Sequence, residues 1–155
     1  MISKEDLLGC WQLESWAIGY SDREDFTYPY GEEPVGLLLY TNDGWMSASI
    51  ARPERAALPE DVSYRKLSDE VKAGAFTSYF HYAGRYRVAD GDVVHQVTQS
   101  LNPNFPGTEQ LRHAELDGQT LVLSGKDQVG GATRFHSLVW HRADATPEGV
   151  LIEDA

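Results

Sequence analysis

"HYAGRYRVADGDVVHQVTQS", residues 81–100, decides the fold. Two runs of alternating residues flank Asp90-Gly91, a dipeptide that strongly indicates a two-residue β-hairpin turn. Counting outward from this turn sets four pairs on one face: Val88 with Val93, Tyr86 with His95, Gly84 with Val97, and Tyr82 with Gln99. The opposite face carries polar side chains that should meet water: Arg85, Arg87, Gln96 and Thr98. The hairpin therefore predicts that His95 is buried beside Tyr86, with Tyr82 and Gln99 also facing inward.

A second hairpin is predicted at residues 35–50. A three-residue loop of Asn42, Asp43 and Gly44, with the glycine in the left-handed conformation, sets Tyr40 opposite Met46 and Leu38 opposite Ala48. A two-residue loop would shift this pairing by one residue, so both registers stay open at this point.

A third hairpin is predicted around Asp117-Gly118. This turn pairs Leu116 with Gln119, Ala114 with Leu121, and Arg112 with Leu123. The register is less decisive here, because Leu111 and Val122 share the opposite face with His113 and Glu115. We place Arg112 inward, and an exposed Arg112 is the alternative.

The remaining pattern predicts an all-β protein. A first strand over 9–19 sets Trp11, Leu13 and Ser15 on one face and Gln12, Glu14 and Trp16 on the other, and a last strand covers 133–142. Four-residue spacing of Leu67, Val71, Ala75 and Tyr79 predicts one short amphipathic helix within 63–80. About eight strands joined mainly by short turns favour an antiparallel sheet closed into a barrel, whose interior holds side chains or one small ligand.

The composition narrows the classes of function. The chain has 155 residues and a formal net charge of −11, from 24 acidic and 13 basic residues, which disfavours nucleic acid as a partner. The single cysteine, Cys10, excludes an intrachain disulfide, and we find no signal peptide and no run of about 20 apolar residues that could span a membrane. We expect a cytoplasmic, single-domain protein, with a barrel over about 7–142 and a polar tail over 143–155.

Several stretches carry a resemblance to a known family. They are the G-x-W start within "LGCWQL" (8–13), "GLLLYTNDGWMSA" (36–48), "FHYAGRYRV" (80–88), "VVHQVTQSLNPNFPGTEQLRHAEL" (93–116) and "LVWHR" (138–142). Together they resemble the lipocalin-like domain family, small microbial barrels related to the calycins. The resemblance implies a lipocalin-like β-barrel with a central cavity, in which Arg142 lies across Trp11 at one end, and the family's histidine and arginine fall on His95 and Arg112. Some related barrels are isomerases or cyclases.

The candidate site is built from the inward-facing polar residues. The expected ligand-binding residues are Tyr40, Met46, Tyr82, Tyr86, His95, Gln99 and Arg112, and the candidate catalytic residues are His95 and Arg112. His95 is either a core histidine bonded to Tyr86 or the backbone, or a group that holds or protonates a ligand. An inward Arg112 demands a carboxylate partner or an anionic ligand, because its guanidinium stays charged.

These residues predict binding of a small, largely apolar molecule that carries an oxygen or acid group. The alternative is a cofactor-independent isomerase or cyclase for a polyketide-like or terpenoid-like substrate, in which His95 moves a proton and Arg112 stabilises an oxyanion. A third hypothesis is a filled barrel that acts through its acidic surface. We expect no metal site, because no H-x-H or H-x-x-x-H pair is present, and no cofactor, although a barrel histidine could ligate a haem. A homodimer stays open.

Overall fold

The computed structural model describes residues 1–144 and confirms the antiparallel lipocalin-like β-barrel. Its strands are β1 Gly9–Tyr20, β2 Arg23–Thr27, β3 Val35–Tyr40, β4 Trp45–Ala51, β5 Tyr79–Ala89, β6 Asp92–Ser100, β7 Glu109–Asp117, β8 Thr120–Val129 and β9 Ala132–Arg142. Eight strands close the barrel through the pairing of β1 with β9, and β2 is an extra strand beside the end of β1. Apart from residues 143 and 144, the polar tail expected over 143–155 lies outside the described residues.

The helices are short. Helix α1 covers Lys4–Leu7, a 3₁₀ turn covers Tyr64–Lys66, and helix α2 covers Asp69–Thr77 with Ser68 as its N-cap. The helix predicted within 63–80 is therefore confirmed in its middle only. Leu67 lies before α2 and is buried, whereas Tyr79 begins β5, so the apolar stripe extends past both ends of the helix.

The two ends of the barrel differ in how the strands are joined. At one end, which we call the closed end, tight turns join β3 to β4, β5 to β6 and β7 to β8. At the other end, which we call the mouth, the long connections 28–34, 52–78 and 101–108 join β2 to β3, β4 to β5 and β6 to β7. Long connections do not close the end of a barrel as tight turns do, so they leave room for an opening there. The connectivity alone therefore places any cavity entrance at the mouth.

The closed end is sealed by Trp11. The indole is fully buried, its Nε1 donates to the Leu7 carbonyl at 2.9 Å, and the Arg142 guanidinium lies 4.1 Å from the ring centroid. Arg142 also donates to the carbonyls of Leu8 at 2.7 Å and Asp6 at 2.9 Å. The arrangement expected from the family resemblance is therefore present, and α1 is held against the end of the barrel by it.

The hairpin registers are partly as predicted. Tyr40 pairs with Met46 and Leu38 with Ala48, which confirms the three-residue loop, and Gly44 has φ +89°. Around the next turn the pairs Val88 with Val93, Tyr86 with His95 and Gly84 with Val97 are also confirmed.

A β-bulge then breaks the predicted pairing of Tyr82 with Gln99. Ala83 pairs with Gln99 and Tyr82 with Ser100, so one extra residue stands in β6 opposite the step from Ala83 to Gly84. The strands approach so closely that a Cβ on Gly84 would lie 1.9 Å from the Gln96 carbonyl oxygen. Because the extra residue reverses the facing of the rest of β6, Gln99 is exposed and its predicted inward position is wrong.

The third hairpin turns one residue later than predicted. Asp117 pairs with Thr120 around Gly118 and Gln119, so Leu116 faces Leu121 and Ala114 faces Leu123. Each pairing is displaced by two residues from the predicted one, which leaves the same side chains facing inward. The inward position of Arg112 therefore survives the wrong register.

A bulge in β1 changes the face of Trp16. Leu13 pairs with Trp140 but Ser15 pairs with Val139, so Glu14 is the extra residue. After this bulge the inward positions become Trp16 and Ile18. The prediction that Trp16 shares the outer face with Gln12 and Glu14 is therefore wrong.

Candidate functional site

The mouth half of the barrel encloses a cavity of about 190 Å³. Its walls are largely apolar and aromatic, with Trp16, Leu38, Phe80, Phe105, Leu123 and Leu138 among them. The aromatic rings of Phe80 and Phe105 lie edge to face at 5.8 Å, and Trp16 stacks on Tyr30 at 5.4 Å. The space is open, which disfavours the hypothesis of a filled barrel.

The predicted site residues separate into four groups. Tyr82, His95 and Arg112 line the cavity. Tyr40 lies behind the cavity surface and contacts it through His95, while Met46 and Tyr86 pack in the core towards the closed end. Tyr86 does not bond His95, because its hydroxyl donates to the Thr41 carbonyl at 2.8 Å. Four of the predicted residues thus lie outside the cavity lining: Tyr40 is behind His95, Met46 and Tyr86 fill the sealed end, and Gln99 faces outward.

His95 is held between two tyrosines. Its side chain is 1% exposed, Nε2 lies 2.7 Å from Tyr40 Oη, and Nδ1 lies 2.6 Å from Tyr82 Oη. Burial, and next the positive charge of Arg112, lower the pKa of His95 to about 3, so the ring is neutral near pH 7. Both ring nitrogens are occupied, so neither is free to ligate a haem.

Both tyrosines stay protonated. Burial raises the pKa of Tyr40 well above its usual value, and burial also raises the pKa of Tyr82. Arg112 opposes the second effect, because its positive charge and its N–H groups lie near the Tyr82 hydroxyl. The phenols are therefore hydrogen-bond donors as well as acceptors at neutral pH.

Arg112 brings a positive charge to the inner surface of the cavity. Within residues 1–144 its guanidinium makes no ion pair, and it donates through Nη1 to the Leu111 carbonyl at 2.8 Å. Its inward position brings it against β8, where a Cβ on Gly125 would lie 3.0 Å from Nη1. A guanidinium with five N–H donors and few protein acceptors is suited to an oxygen-bearing ligand.

Trp140 adds a buried donor. It lines the cavity, it is 2% exposed, and its Nε1–H has no acceptor among the residues that the structure describes. A buried N–H normally has a hydrogen-bond partner, so among these residues Trp140 is an unsatisfied donor in the wall of the cavity.

Comparison with known proteins agrees with the geometry. The barrel matches the model of the lipocalin-like domain family over residues 8–143. The chain belongs to this family. It is also 36% identical over 109 residues to the 4'-hydroxy-3'-methoxypropiophenone carrier protein ppsC of Aspergillus oryzae, an alignment that covers 63% of this chain and 96% of the relative. The family and this relative support small-molecule binding inside the barrel.

A second polar cluster lies at the mouth of this lipocalin-like domain. Arg134 donates to both carboxylate oxygens of Asp127, at 2.8 and 2.6 Å, and this interaction lowers the pKa of Asp127. Trp16 Nε1 donates to His136 Nδ1 at 3.2 Å, and His136 Nε2 lies 3.3 Å from an Asp127 oxygen without hydrogen-bond alignment. Burial lowers the pKa of His136, so this ring is also predominantly neutral near pH 7.

Sequence reasoning missed part of this cluster. His136, Leu138 and Trp140 are every second residue of β9, so they share one face of the sheet. If Trp140 is taken as a core residue, this spacing places all three on the inner face. His136 and His141, five residues apart on β9, face opposite ways: His141 is exposed and bonds Glu14 at 2.6 Å. No pattern in β1 could have found Trp16, because the bulge at Glu14 leaves no mark on the alternation of residue types.

The described part of the chain contains neither a metal cluster nor a membrane-crossing helix. Over residues 1–144 no three side chains of the types His, Cys, Asp and Glu converge as metal ligands. Neither α1 nor α2 has the length and apolar character that a membrane-crossing helix needs.

Proposed function

We propose that this lipocalin-like domain binds and carries a small aromatic molecule with an oxygen substituent. The observation that supports the proposal most strongly is the composition of the cavity: aromatic and aliphatic walls that end on Tyr82, His95 and Arg112. A ligand pocket typically combines apolar walls with a few convergent polar groups that fix the orientation of the ligand. In this cavity those polar groups are Tyr82, His95 and Arg112, and we call the part of the cavity that they line, which lies towards the closed end of the barrel, its inner end.

The volume favours one ring. An apolar cavity of about 150 Å³ is large enough to bind benzene, and drug-sized ligands need about 300 Å³ or more. At about 190 Å³ the cavity suits a single substituted ring. The carrier relative is named for an aryl ketone with one hydroxyl and one methoxy group, and we propose a ligand of that class here.

The residues that line the cavity favour one orientation of the ligand. The aromatic side chains Trp16, Phe80 and Phe105 lie on the mouth side, and Tyr82 and Arg112 lie further in. We therefore propose that the ring packs on these aromatic groups while an oxygen of the ligand accepts hydrogen bonds from Tyr82 and Arg112. Offset or edge-to-face contacts between rings add about 0.5–1.5 kcal/mol beyond the burial of area.

The state of His95 favours binding over proton transfer. An efficient general base has a pKa near the working pH, whereas the pKa of His95 is about 3. Both of its nitrogens are also already bonded to tyrosines. These observations support the carrier hypothesis over an isomerase or cyclase that uses His95 as a base.

The test is an isothermal calorimetric titration of the purified protein with 4'-hydroxy-3'-methoxypropiophenone. Ala48 lines the cavity, so Ala48→Leu should fill part of it and weaken binding at least about tenfold. The matched control is Ala89→Leu, the same change at an exposed position of β5, which should leave affinity unchanged. Absence of saturable binding, or equal binding by the filled variant, would contradict the proposal.

A further inference from the structure

The hydrogen bonds through His95 have a direction. A neutral imidazole has one N–H donor and one acceptor nitrogen, so one of its tyrosine partners donates to the ring and the other accepts from it. Both contacts are short and buried, at 2.7 Å for Tyr40 and 2.6 Å for Tyr82. The tyrosine that accepts keeps its own hydroxyl hydrogen for another partner.

Burial decides which tyrosine donates to the ring. Tyr40 is 2% exposed and, among residues 1–144, its hydroxyl contacts only His95. If Tyr40 accepted from Nε2–H, its own hydrogen would be buried without an acceptor, which is strongly disfavoured. Tyr82 lines the cavity, so its hydrogen can be directed there. The favoured arrangement has Tyr40 donating to Nε2, Nδ1–H donating to Tyr82, and the Tyr82 hydroxyl donating into the cavity.

Arg112 and Trp140 are also donors, whereas Gln110, which lines the cavity too, carries both donors and an acceptor. Arg112 has donors only, and it makes no ion pair within the described residues. Trp140 has one N–H, which is buried without an acceptor among them. Two donor groups from two strands, the Tyr82 hydroxyl and the Arg112 guanidinium, thus line a cavity in which the carboxylate, Asp127, is bound by Arg134 at the mouth.

We infer that the inner end of the cavity is an oxyanion site, where the Tyr82 hydroxyl and the Arg112 guanidinium bind the ionised oxygen of an aromatic ligand. Tyr40 and His95 are positioning residues, which act by fixing the hydrogen of Tyr82. This inference rests on the proposed function and narrows it, because it selects a phenolate or a carboxylate over a neutral ketone or ether.

The charges around the cavity agree with an anionic ligand. Besides the tyrosines and His95, the charged or titratable side chains that line it are Arg112 on β7, Lys126 and Asp127 on β8, and Arg134 and His136 on β9. Three of these are cations and one is an anion, and Asp127 is already paired with Arg134. The lining is thus cationic in a chain whose formal net charge is −11.

The experiment compares three probes of one size and shape: 4-nitrophenol, 4-nitrobenzoate and 4-nitroanisole. The first ionises near neutral pH and absorbs visible light only when ionised, the second is always anionic, and the third cannot ionise. We expect the protein to ionise bound 4-nitrophenol at a pH about one unit lower than in solution, and to bind 4-nitroanisole about tenfold more weakly than 4-nitrophenolate. The relative affinity for 4-nitrobenzoate tells whether the natural oxyanion is a carboxylate or a phenolate.

Variants identify the groups responsible. Tyr82→Phe should weaken 4-nitrophenolate binding about tenfold while changing 4-nitroanisole binding less than about twofold. Tyr40→Phe should weaken 4-nitrophenolate binding about threefold and shift the ionisation of the bound probe back towards its solution value. Tyr86→Phe is the matched control, because this buried hydroxyl bonds Thr41 at the closed end.

The outcomes separate the two proposals. If 4-nitroanisole binds as tightly as 4-nitrophenolate and bound 4-nitrophenol stays neutral, the oxyanion inference is wrong while small-molecule binding stands. If none of the three probes binds, small-molecule binding of this class is wrong as well. The comparison of probes uses the unmodified protein, so it decides the matter even if a variant fails to fold.

Discussion

The closed end and the cavity half of this barrel use the same residue types for different purposes. Each has a buried tryptophan, an arginine and a tyrosine on the inner face. At the closed end every one has a protein acceptor: Trp11 bonds the Leu7 carbonyl, Arg142 bonds the carbonyls of Leu8 and Asp6, and Tyr86 bonds the Thr41 carbonyl. That end is satisfied by the protein alone.

The cavity half leaves the matching groups short of partners. Within the described residues the Trp140 indole has no acceptor, and Arg112 bonds only a backbone carbonyl of its own strand. Tyr82 receives a hydrogen bond through His95 and keeps its own hydrogen for the cavity. The type of a buried residue therefore does not tell whether it seals the barrel or binds a ligand. Whether its hydrogen-bond donors have acceptors within the protein does.

The largest expected effect concerns His95, the buried group that both tyrosines hold. The unfolded chain binds a proton on this residue below about pH 6.5, and the folded protein does not until about pH 3. The unfolded state therefore binds more protons between these values, so the free energy of unfolding falls as the pH falls, by up to about 1.4 kcal/mol per pH unit and by about 4 kcal/mol between pH 6.5 and pH 3.

Urea unfolding between pH 6.5 and pH 5, above the range in which carboxylates titrate, checks this slope. His95→Gln should remove most of it, because the substituted side chain binds no proton in either state. An equal slope in the wild type and in His95→Gln would show that His95 is not the buried neutral group described here.

The two arginines give the next effect. Arg142→Met should lower the free energy of unfolding by about 3 kcal/mol, because it removes two charge-assisted hydrogen bonds and the contact over Trp11. Arg112→Met should change it by less than about 1 kcal/mol or raise it, because an unpaired charge leaves a partly buried site. Equal losses in urea unfolding would remove the distinction between the two ends.

Trp11 and Trp140 test the same difference between the closed end and the cavity half, with a smaller expected change in the free energy of unfolding. Trp11→Phe leaves the Leu7 carbonyl without its donor and should cost about 1–2 kcal/mol of unfolding free energy. Trp140→Phe loses similar packing but removes an N–H that has no acceptor in the described residues, so it should cost about 1 kcal/mol less than Trp11→Phe. Thermal unfolding of the two variants side by side checks the difference, and a larger loss for Trp140→Phe would contradict it.

The smallest effect concerns Gly125. A methyl group there would lie 3.0 Å from Arg112 Nη1, which can move aside, and 3.3 Å from the backbone oxygen of Leu111, which would have to shift slightly. Gly125→Ala should therefore weaken binding of an anionic probe about threefold while changing stability by less than about 1 kcal/mol. Gly74→Ala in α2, where nothing lies within 4 Å of the added methyl, controls for the backbone effect of the substitution and should leave binding unchanged.

The fold was largely predictable from the sequence because turn residues and alternation are local signals. Gly44 and Gly91 mark two turns correctly, and the family motifs place Trp11 and Arg142 together. The turn after β7 was misplaced by one residue, yet Arg112 still faces inward because the pairing shifts by two.

The site was less predictable because bulges and proton positions are not local signals. One extra residue in β1 turns Trp16 inward, and one in β6 turns Gln99 outward. The partners of His95 are Tyr40 and Tyr82 rather than Tyr86. Tyr40 comes from the non-adjacent strand β3, and Tyr82 lies on the adjacent strand β5 but four residues from the paired Tyr86, so the strand pairing reports neither contact. Inward facing could be predicted for His95 and Arg112, but their partners could not.

A crystal structure with 4'-hydroxy-3'-methoxypropiophenone bound tests the central claim most directly. We predict the ring in the cavity against Trp16, Phe80 and Phe105, with a ligand oxygen within about 3.2 Å of both Tyr82 Oη and the Arg112 guanidinium. A ligand bound elsewhere, or one whose oxygens all face the mouth while the inner donors stay unpaired, would contradict it.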